Sequence, residues 1–534
     1  MQQLSWDFPY PSQRMPILAQ NIVATSQPLA AQAGLDTLRR GGNAVDAALA
    51  TAIVLTVVEP TSNGIGSDSF AIVWDGTRLH GLNASGRAPR LLSPERFAGL
   101  DRMPTIGWDP VTVPGAVSAW VALSARFGKL PFADLFAAAI HYARDGFLVS
   151  PITARAWSRA PERYAAYPSF AATFAPNGRA PYPGELFRCP DQARTLEVIA
   201  ATKGEAFYRG ALAERIVAHA KDTGGLMRID DLATHAPEWG TPMAQSYNGY
   251  HLHEIPPNGQ GLAALIALGI LKHFDLAQYP VDSADSVHLQ VEAMKLAFAE
   301  AHRHIADPAW MEVPPEALLD EDFLAERATQ IKMEQAQFPT SALPTDHGTV
   351  YLTAADASGM MVSYIQSNYI GFGSGIVIPG TGISLQNRGT GFRLEPGHPN
   401  RVAGGKRPYH TIIPGFVTRA GQPVMSFGVM GGHMQPQGHV QMMVRLFDYA
   451  QNPQAASDAP RWYIEEDLTA LSLEPGFAPE VIDELRRRGH HVNADLPPGR
   501  FGGAQLIYRL DNSNRLASYC AGTDWRKDGQ AVGY

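Results

Sequence analysis

Only two cysteines, Cys189 and Cys520, occur in the 534 residues. They cannot build a disulfide framework, and they have no metal-ligand spacing. Positive charge is in deficit: 43 lysines and arginines face 51 acids, for a net charge of −8. A general polyanion binder needs the opposite balance, so nucleic acid is not an expected partner. Long hydrophobic runs are missing too. The longest, Ala47 to Val58, has about 12 residues against the ~20 that span a bilayer. It is expected to be a buried helix, and no membrane partner is expected. Met1 to Pro11 has neither the cationic start nor the apolar stretch of a secretory signal, so the cytoplasm is the expected location. Charged residues make up 18% and apolar ones 45%, which excludes a disordered chain and fits a folded one.

Several chemical motifs are also absent. There is no G-x-S-x-G elbow, no H-E-x-x-H pair and no Walker lysine loop. Gly64-Ile65-Gly66-Ser67-Asp68-Ser69 begins like a phosphate loop, but its third glycine is missing and a helix precedes it. A dinucleotide site needs strand, loop and then helix. His302 and His304 flank Arg303 on an expected helix and face different ways, which argues against a shared metal.

What is present reads as helices and strands in alternation. Ser26 to Arg40 has helical apolar spacing, and Asn43 is a good N-cap for a helix over Ala44 to Val58. Phe70 to Trp74 is a short strand ending in the Asp75-Gly76 turn signal. Pro114 to Phe127, Pro131 to Gly146, Ser286 to Ile305, Val440 to Tyr449 and Ala478 to Arg488 read as helices. From about Glu334 the chain is polar, proline-bearing and aperiodic up to Gly348. Thr349 to Ala355 and Met360 to Gln366 then form a candidate hairpin around Asp356-Ala357-Ser358-Gly359.

Thr349 thus opens a strand directly after a glycine and a long loop. A threonine hydroxyl is a poor nucleophile without an adjacent base. Cutting the chain before it supplies one, its own α-amino group. That amine's reference pKa of ~7.7–8.0 leaves a useful neutral fraction near pH 7. Gly348 suits such a cut, because without a Cβ it lets the hydroxyl approach its carbonyl. By itself the Gly-Thr pair fits an ordinary strand start equally well.

The wider sequence resembles the γ-glutamyltransferase (glutathione hydrolase) family of N-terminal-nucleophile hydrolases. The resemblance is carried by Gly41 to Ala48, Val57 to Gly66, Val113 to Val117, Phe127 to Pro131, Glu292 to Ala299 and Thr349 to Asp356. Phe372 to Val377, Gly431-Gly432, Asp524, Arg526 and Gly533-Tyr534 extend it to the end of the chain. It implies an α+β fold, a four-layer αββα sandwich. It also implies cleavage between Gly348 and Thr349 into a large subunit (1–348) and a small one (349–534) sharing one intertwined core. Thr349 is implied as the nucleophile, Ser367 as the hydroxyl that contacts it, and the N–H groups of Gly431 and Gly432 as the oxyanion hole. No metal or organic cofactor is implied. The expected partner is a small-molecule amide, and assembly of the two subunits into a higher oligomer is left open.

The departures bear on specificity. The family's carboxylate-gripping arginine is replaced by Ser85, an asparagine by Tyr369, a glutamine by Arg388 and a paired serine motif by His410-Thr411. Gly391 stands where the family has the aspartate that holds the glutamyl ammonium. Ser85, Arg87, Tyr369, Arg388, His410 and Thr411 are therefore the expected substrate-binding positions, with Arg87 or Arg388 approaching a carboxylate from a new direction. Gly391→Asp is expected to restore a preference for glutamyl. Three functions follow: a γ-glutamyl hydrolase or transferase, a cephalosporin- or glutaryl-type acylase, and an unprocessed binding protein. The intact Gly348, Thr349, Ser367 and Gly431-Gly432 argue against the third.

Overall fold

A computed structural model of the chain describes residues 13–339, 348–494, 496, 498–510 and 516–534. The readings of Met1 to Pro11 and of the loop residues 340–347 lie outside the described residues. Two seven-stranded antiparallel sheets dominate the fold. The first runs Gln530–Gly533, Ile22–Thr25, Gly348–Ala355, Met361–Tyr369, Asp68–Trp74, Leu79–Asn83, Glu238–Gly240. The second runs Ile17–Ala19, Ser518–Thr523, Gly503–Leu510, Gln422–Met430, Gly415–Arg419, Tyr250–Glu254, Met243–Tyr247. Each sheet takes strands from both sides of Gly348, so neither half of the chain completes a sheet alone.

Strand side chains alternate between faces, and three separate cores follow from that. Phe70, Ile72, Tyr351, Met361 and Ile365 of the first sheet meet Phe416, Met430, Ile507 and Tyr519 of the second. The residues between them, Ala71, Val73, Val350, Leu352 and Val362, pack on the helix Ala44–Val58 and its neighbours. On the far side, Met425, Phe427, Val429 and Leu506 of the second sheet pack on the helices Gly261–Leu271, Ala284–His304 and Met434–Phe447.

The helix Ala44–Val58 is buried at every position, which is why its sequence is uniformly apolar rather than amphipathic. Its start is fixed by a capping box: Asn43 Oδ1 accepts from Asp46 N at 3.0 Å, and Asp46 Oδ2 accepts from Asn43 N at 3.1 Å. Asp46 Oδ2 also accepts from Lys129 N and Leu130 N, at 3.0 and 3.1 Å. Ala44 N donates to Asp356 Oδ2 at 2.8 Å, which ties this helix to the end of the Thr349 strand. The helix leads into the loop around Gly64 and Gly66. There the Gly66 carbonyl accepts from Gln386 N at 3.1 Å, and the Ser384 carbonyl occupies the space a Gly66 Cβ would need. These glycines allow two backbones to touch; they do not frame a phosphate.

Two helices differ from the sequence reading. Pro131 to Gly146 splits into a 3-10 turn, Phe132–Phe136, and a helix, Ala137–Asp145. The helix read from Val440 begins earlier, at Met434. Pro436 lies in its first turn, where a missing N–H leaves nothing unpaired, and Gly438 lets the helix press on the sheet, since a Cβ there would stand 2.5 Å from Val429 Cγ1. No helix among the described residues is long and apolar enough to cross a membrane.

Asp46→Ala removes the acceptor for three backbone N–H groups in a buried setting. The expected loss is about 2–4 kcal/mol of stability, read as a lower denaturant midpoint at unchanged slope. A loss under about 1 kcal/mol would mean that these donors find other partners.

Candidate active site

Alternation along the strands fixes which side chains share the space between the sheets. Thr349, Tyr351 and Thr353 point one way; so do Met361, Ser363, Ile365 and Ser367, and so do Asp68, Phe70 and Ile72. Ser367 pairs directly with Asp68. Thr349, Ser367 and Asp68 therefore form a row across three adjacent strands, facing the second sheet. All three are buried.

The chain is uncut at this junction, and the ladder bulges between Gly348 and Val350. Gly348 has no room for a side chain: a Cβ would stand 2.6 Å from Gly371 N. Ser367 Oγ lies 2.7 Å from the Gly348 carbonyl oxygen and donates to it. Tyr369 N donates to the same Oγ at 2.7 Å. A hydroxyl has one proton. With it committed to Gly348, the 3.2 Å contact between Thr349 Oγ and Ser367 Oγ has Thr349 as donor. Tyr369 adopts φ +75°, an uncommon conformation for a residue with a side chain.

Next along the row, Asp68 Oδ2 stands 3.0 Å from His410 Nε2 and 3.6 Å from Arg388 Nε. Ile412 N points at His410 Nδ1 at 3.4 Å, so the neutral ring carries its proton on Nε2 and donates to Asp68. Burial, with the nearby Arg388 and Arg407 charges, holds His410 well below its ordinary pKa. Burial also pushes Asp68 up to about 7, outweighing the attraction of Arg388. Arg388 is itself lowered to about 10 by burial. Its Nη1 donates to Thr411 Oγ1 at 2.7 Å, and its guanidinium lies 4.3 Å above the Tyr369 ring. Among the described residues its Nη2 has no hydrogen-bond acceptor, and its Nε faces only the Asp68 carboxylate, at 3.6 Å.

Gly431 and Gly432 follow the strand Gln422–Met430, at φ +118° and +58°. The two sheets fix their place. Thr353 Oγ1 meets Ser426 Oγ at 2.6 Å, and the Tyr351 ring lies against Gly428. The carbonyls of Gly431 and Gly432 accept from Met434 N and Gln435 N, while their own N–H groups have no acceptor among the described residues.

The structure thus brings Gly348, Thr349, Ser367, Tyr369, Arg388, His410, Thr411 and the Gly431-Gly432 turn into one region. It treats Ser85 and Arg87 differently. Ser85 Oγ is held by Asn83 Oδ1 at 2.7 Å, behind Asp68, whose Oδ1 faces Gly86 N. Arg87 is 43% exposed and pairs with Asp307 at 2.6 Å and Glu238 at 3.5 Å, an outward ion-pair network rather than a reach towards Thr349. Gly391→Asp is also sterically barred, because a Cβ there would stand 2.5 Å from the Tyr409 carbonyl oxygen. That substitution cannot restore an ammonium site as the sequence suggested.

Two residues of this region escaped the sequence reading. Asp68 was hidden in the glycine loop, directly before Ser69, which stands at the missing third glycine. Gln260 is buried, and its Nε2 donates to the carbonyls of Thr411 and Gly432, at 2.5 and 2.8 Å, tying the two segments together. Nothing local in Asn258-Gly259-Gln260 announces that role. Elsewhere, His288, Glu292 and His490 lie close enough to hold an ion. Their ligand atoms are already engaged: His288 Nδ1 with His490 Nε2 at 2.8 Å, and Glu292 with Lys295 Nζ at 2.9 Å. Lys295 Nζ and Glu292 also hold the Gln337 carbonyl and N–H, each at 2.9 Å, which anchors the segment ahead of the Gly348 junction.

The gamma-glutamyltranspeptidase family profile matches residues 30–534. The crystal structure of a cephalosporin acylase from Bacillus halodurans superposes with a TM-score of 0.95 at 49% identity, covering 100% of this chain and 99% of that one. The glutathione hydrolase-like YwrD proenzyme of Bacillus subtilis is 36% identical over 519 residues, 96% of this chain and 98% of its own. The oxamate amidohydrolase proenzyme of Klebsiella pneumoniae is 37% identical over 521 residues, 95% and 97% of the two chains.

Asp68 makes stability depend on pH in a stated direction. Its folded pKa of about 7 lies above the ordinary 3.8, so the folded chain keeps a proton that the unfolded chain releases. This contribution is full below about pH 4 and is lost as pH rises to about 7. In an uncut Thr349→Ala background, Asp68→Asn removes that titration. The melting temperature of the Asn variant is expected to gain on its parent between about pH 4.5 and 7.5. A constant difference would place Asp68's pKa near its ordinary value.

Proposed function

The chain belongs to the gamma-glutamyltranspeptidase family and is an amidohydrolase proenzyme of it; from that premise we propose that it cuts itself before Thr349 and hydrolyses acyl amides that lack a glutamyl ammonium. The single observation that carries this reading is Ser367, bonded at once to Thr349 Oγ and to the Gly348 carbonyl. The order helices, sheet, sheet, helices supports the four-layer αββα sandwich of the N-terminal-nucleophile hydrolases as its class.

In the uncut chain Thr349 N is an amide and offers no base. Thr349 Oγ attacks the Gly348 carbonyl carbon, and its proton is relayed by way of the Ser367 hydroxyl to the Thr349 nitrogen, which leaves Ser367 neutral. The Ser367 hydroxyl stabilises the oxyanion forming on Gly348. Collapse breaks the C–N bond, the Thr349 nitrogen leaves as the amine, and an ester joins Gly348 to Thr349 Oγ. Water hydrolyses the ester, leaving a carboxylate on residue 348 and a free amine on Thr349. That amine is then the base for turnover. It takes the Thr349 hydroxyl proton as Oγ attacks a substrate amide, with the Gly431 and Gly432 N–H groups at the oxyanion. The same proton passes to the leaving amine, and water releases the acid.

The acyl side is less glutamyl-like than the catalytic side. Gly391 offers no carboxylate, Ser85 is engaged by Asn83, and Asp68 already serves His410 beside Arg388. The names of the relatives, a cephalosporin acylase and an oxamate amidohydrolase beside a glutathione hydrolase-like protein, fit a scaffold whose acyl specificity varies.

Thr349→Ala should leave one uncut chain of 57.8 kDa without activity, seen by intact mass. Cleavage at the same bond in that variant would refute self-processing. Ser367→Ala loses the donor to the scissile carbonyl, and processing should slow roughly 100-fold or more. Processing at the wild-type rate would remove Ser367 from the reaction. For the cleaved enzyme, kcat/KM on glutaryl p-nitroanilide should equal or exceed that on γ-glutamyl p-nitroanilide. A glutamyl preference above about tenfold, ~1.4 kcal/mol, would mean that an unassigned group holds the ammonium.

A further inference from the structure

Two consecutive glycines are free to turn unless something outside them holds them. Gly431 and Gly432 stand at φ +118° and +58°. Met434 N and Gln435 N donate to their carbonyls at 2.9 and 3.2 Å, but these donors belong to the same turn and move with it. The hold from elsewhere in the chain is Gln260, whose Nε2 donates to the Gly432 oxygen at 2.8 Å. The Gln260 amide is used to capacity. Nε2 also donates to the Thr411 carbonyl at 2.5 Å, and Oε1 accepts from the Tyr409 hydroxyl at 3.0 Å and from His433 Nδ1 at 3.2 Å. Two carbonyls can only accept, which fixes the sense of the amide. His433 follows Gly432, so Gln260 grips the turn at two successive residues.

The Gln260 main chain is fixed as well. Its N–H donates to the His410 carbonyl at 2.9 Å, and it opens the buried helix Gly261–Leu271. The plainer reading makes Gln260 the cap of that helix. A cap side chain bonds the first N–H groups of its own helix, and this one makes no such bond.

Resting on the amidohydrolase reading above, we propose that Gln260 is a positioning residue for turnover alone: it holds the Gly431 and Gly432 N–H groups in the orientation that meets the substrate oxyanion, and self-processing does not need it. In self-processing the oxyanion forms on Gly348, where the donor is Ser367. In turnover it forms on the substrate, where the donors are the two glycines. Gln260 precedes the Gly348 junction, and Thr411 and Gly432 follow it. Once the chain is cut, these bonds run from one fragment to the other, so the fragment without the nucleophile sets the oxyanion turn of the fragment that carries it.

The test reads two rates in each variant: self-processing by intact mass, and hydrolysis of glutaryl or γ-glutamyl p-nitroanilide, whichever the cleaved wild-type enzyme turns over faster. Gln260→Met keeps the length of the side chain and loses all four hydrogen bonds. Gln260→Glu keeps the shape, and a buried carboxyl held neutral has a single O–H for the two carbonyls. In Gln260→Met, kcat is expected to fall about 30-fold or more, a large share of what loss of an oxyanion donor costs. Its KM and self-processing rate are expected to stay within about threefold of wild type. Gln260→Glu should show the same split with a kcat loss of about tenfold. If Gln260→Met does not accumulate as folded protein, the isosteric Gln260→Glu decides, and failure of both to fold would make Gln260 a structural residue and overturn the inference. A kcat within about threefold of wild type in either variant would overturn it. Equal slowing of processing and turnover would do the same, and a raised KM at unchanged kcat would move Gln260 to substrate binding and overturn it too. In each of these cases turnover by the wild type leaves the amidohydrolase reading standing. A wild-type chain neither cut nor active on either anilide would remove both readings.

Discussion

A hydroxyl has one proton to give, and Ser367 gives it to the carbonyl of Gly348. The local geometry depends on that commitment. It leaves the Ser367 lone pairs to receive Tyr369 N and the Thr349 hydroxyl, which orients that hydroxyl without a charged group. It also requires the Gly348 carbonyl to turn towards the neighbouring strand, and the bulge between Gly348 and Val350 accompanies that turn. The bulge in turn needs a residue without a Cβ, because the Gly371 backbone is already there. Glycine, bulge, threonine and serine are thus one hydrogen-bond solution spread over two strands.

That solution lies between two sheets, where an unpaired polar group is expensive. Most of the cost is offset locally. Asp68 receives His410, Arg388 serves Thr411, and Gln260 bridges the carbonyls of Thr411 and Gly432. Among the described residues the N–H groups of Gly431 and Gly432 and the Nη2 of Arg388 are donors left without an acceptor. Unused donors favour acceptors. An amide oxygen gathering negative charge is one, and a carboxylate is another.

The parts that were legible in the sequence are the ones decided by near neighbours. Asn43 with Asp46 announces the start of the buried helix, and the Thr349 to Gln366 hairpin shows in its alternation and its Asp-Ala-Ser-Gly turn. Ser367 was found by its spacing in the resemblance, and the contact is present. What escaped is decided by strands far apart in the chain. Asp68 becomes part of the site because its strand pairs with the Ser367 strand, a fact of sheet order. Arg87 was turned away by Asp307, far along the chain, which no local pattern reveals. Pro436 and Gly438 look like helix breakers until the strand beneath them is known.

Gly391 shows why specificity in such a scaffold is not a matter of exchanging side chains one at a time. The sequence invites the view that an aspartate there would recreate an ammonium site. The Tyr409 carbonyl 2.5 Å from the required Cβ forbids it unless the backbone moves. Tyr409 is not free to move alone: its N–H donates to Asn400 Oδ1 at 2.9 Å, and its hydroxyl donates to Gln260, which also holds the turn of Gly431 and Gly432. Opening room for an ammonium therefore strains the segment that holds the Gly431-Gly432 turn. Gly391 and the Gly431-Gly432 turn are coupled through Tyr409 and Gln260, so making room at Gly391 requires the backbone around Tyr409 to shift as a unit. Tyr369 stacks under Arg388, Arg388 donates to Thr411, and Gly391 abuts the Tyr409 carbonyl, so each of these positions limits the space of the next.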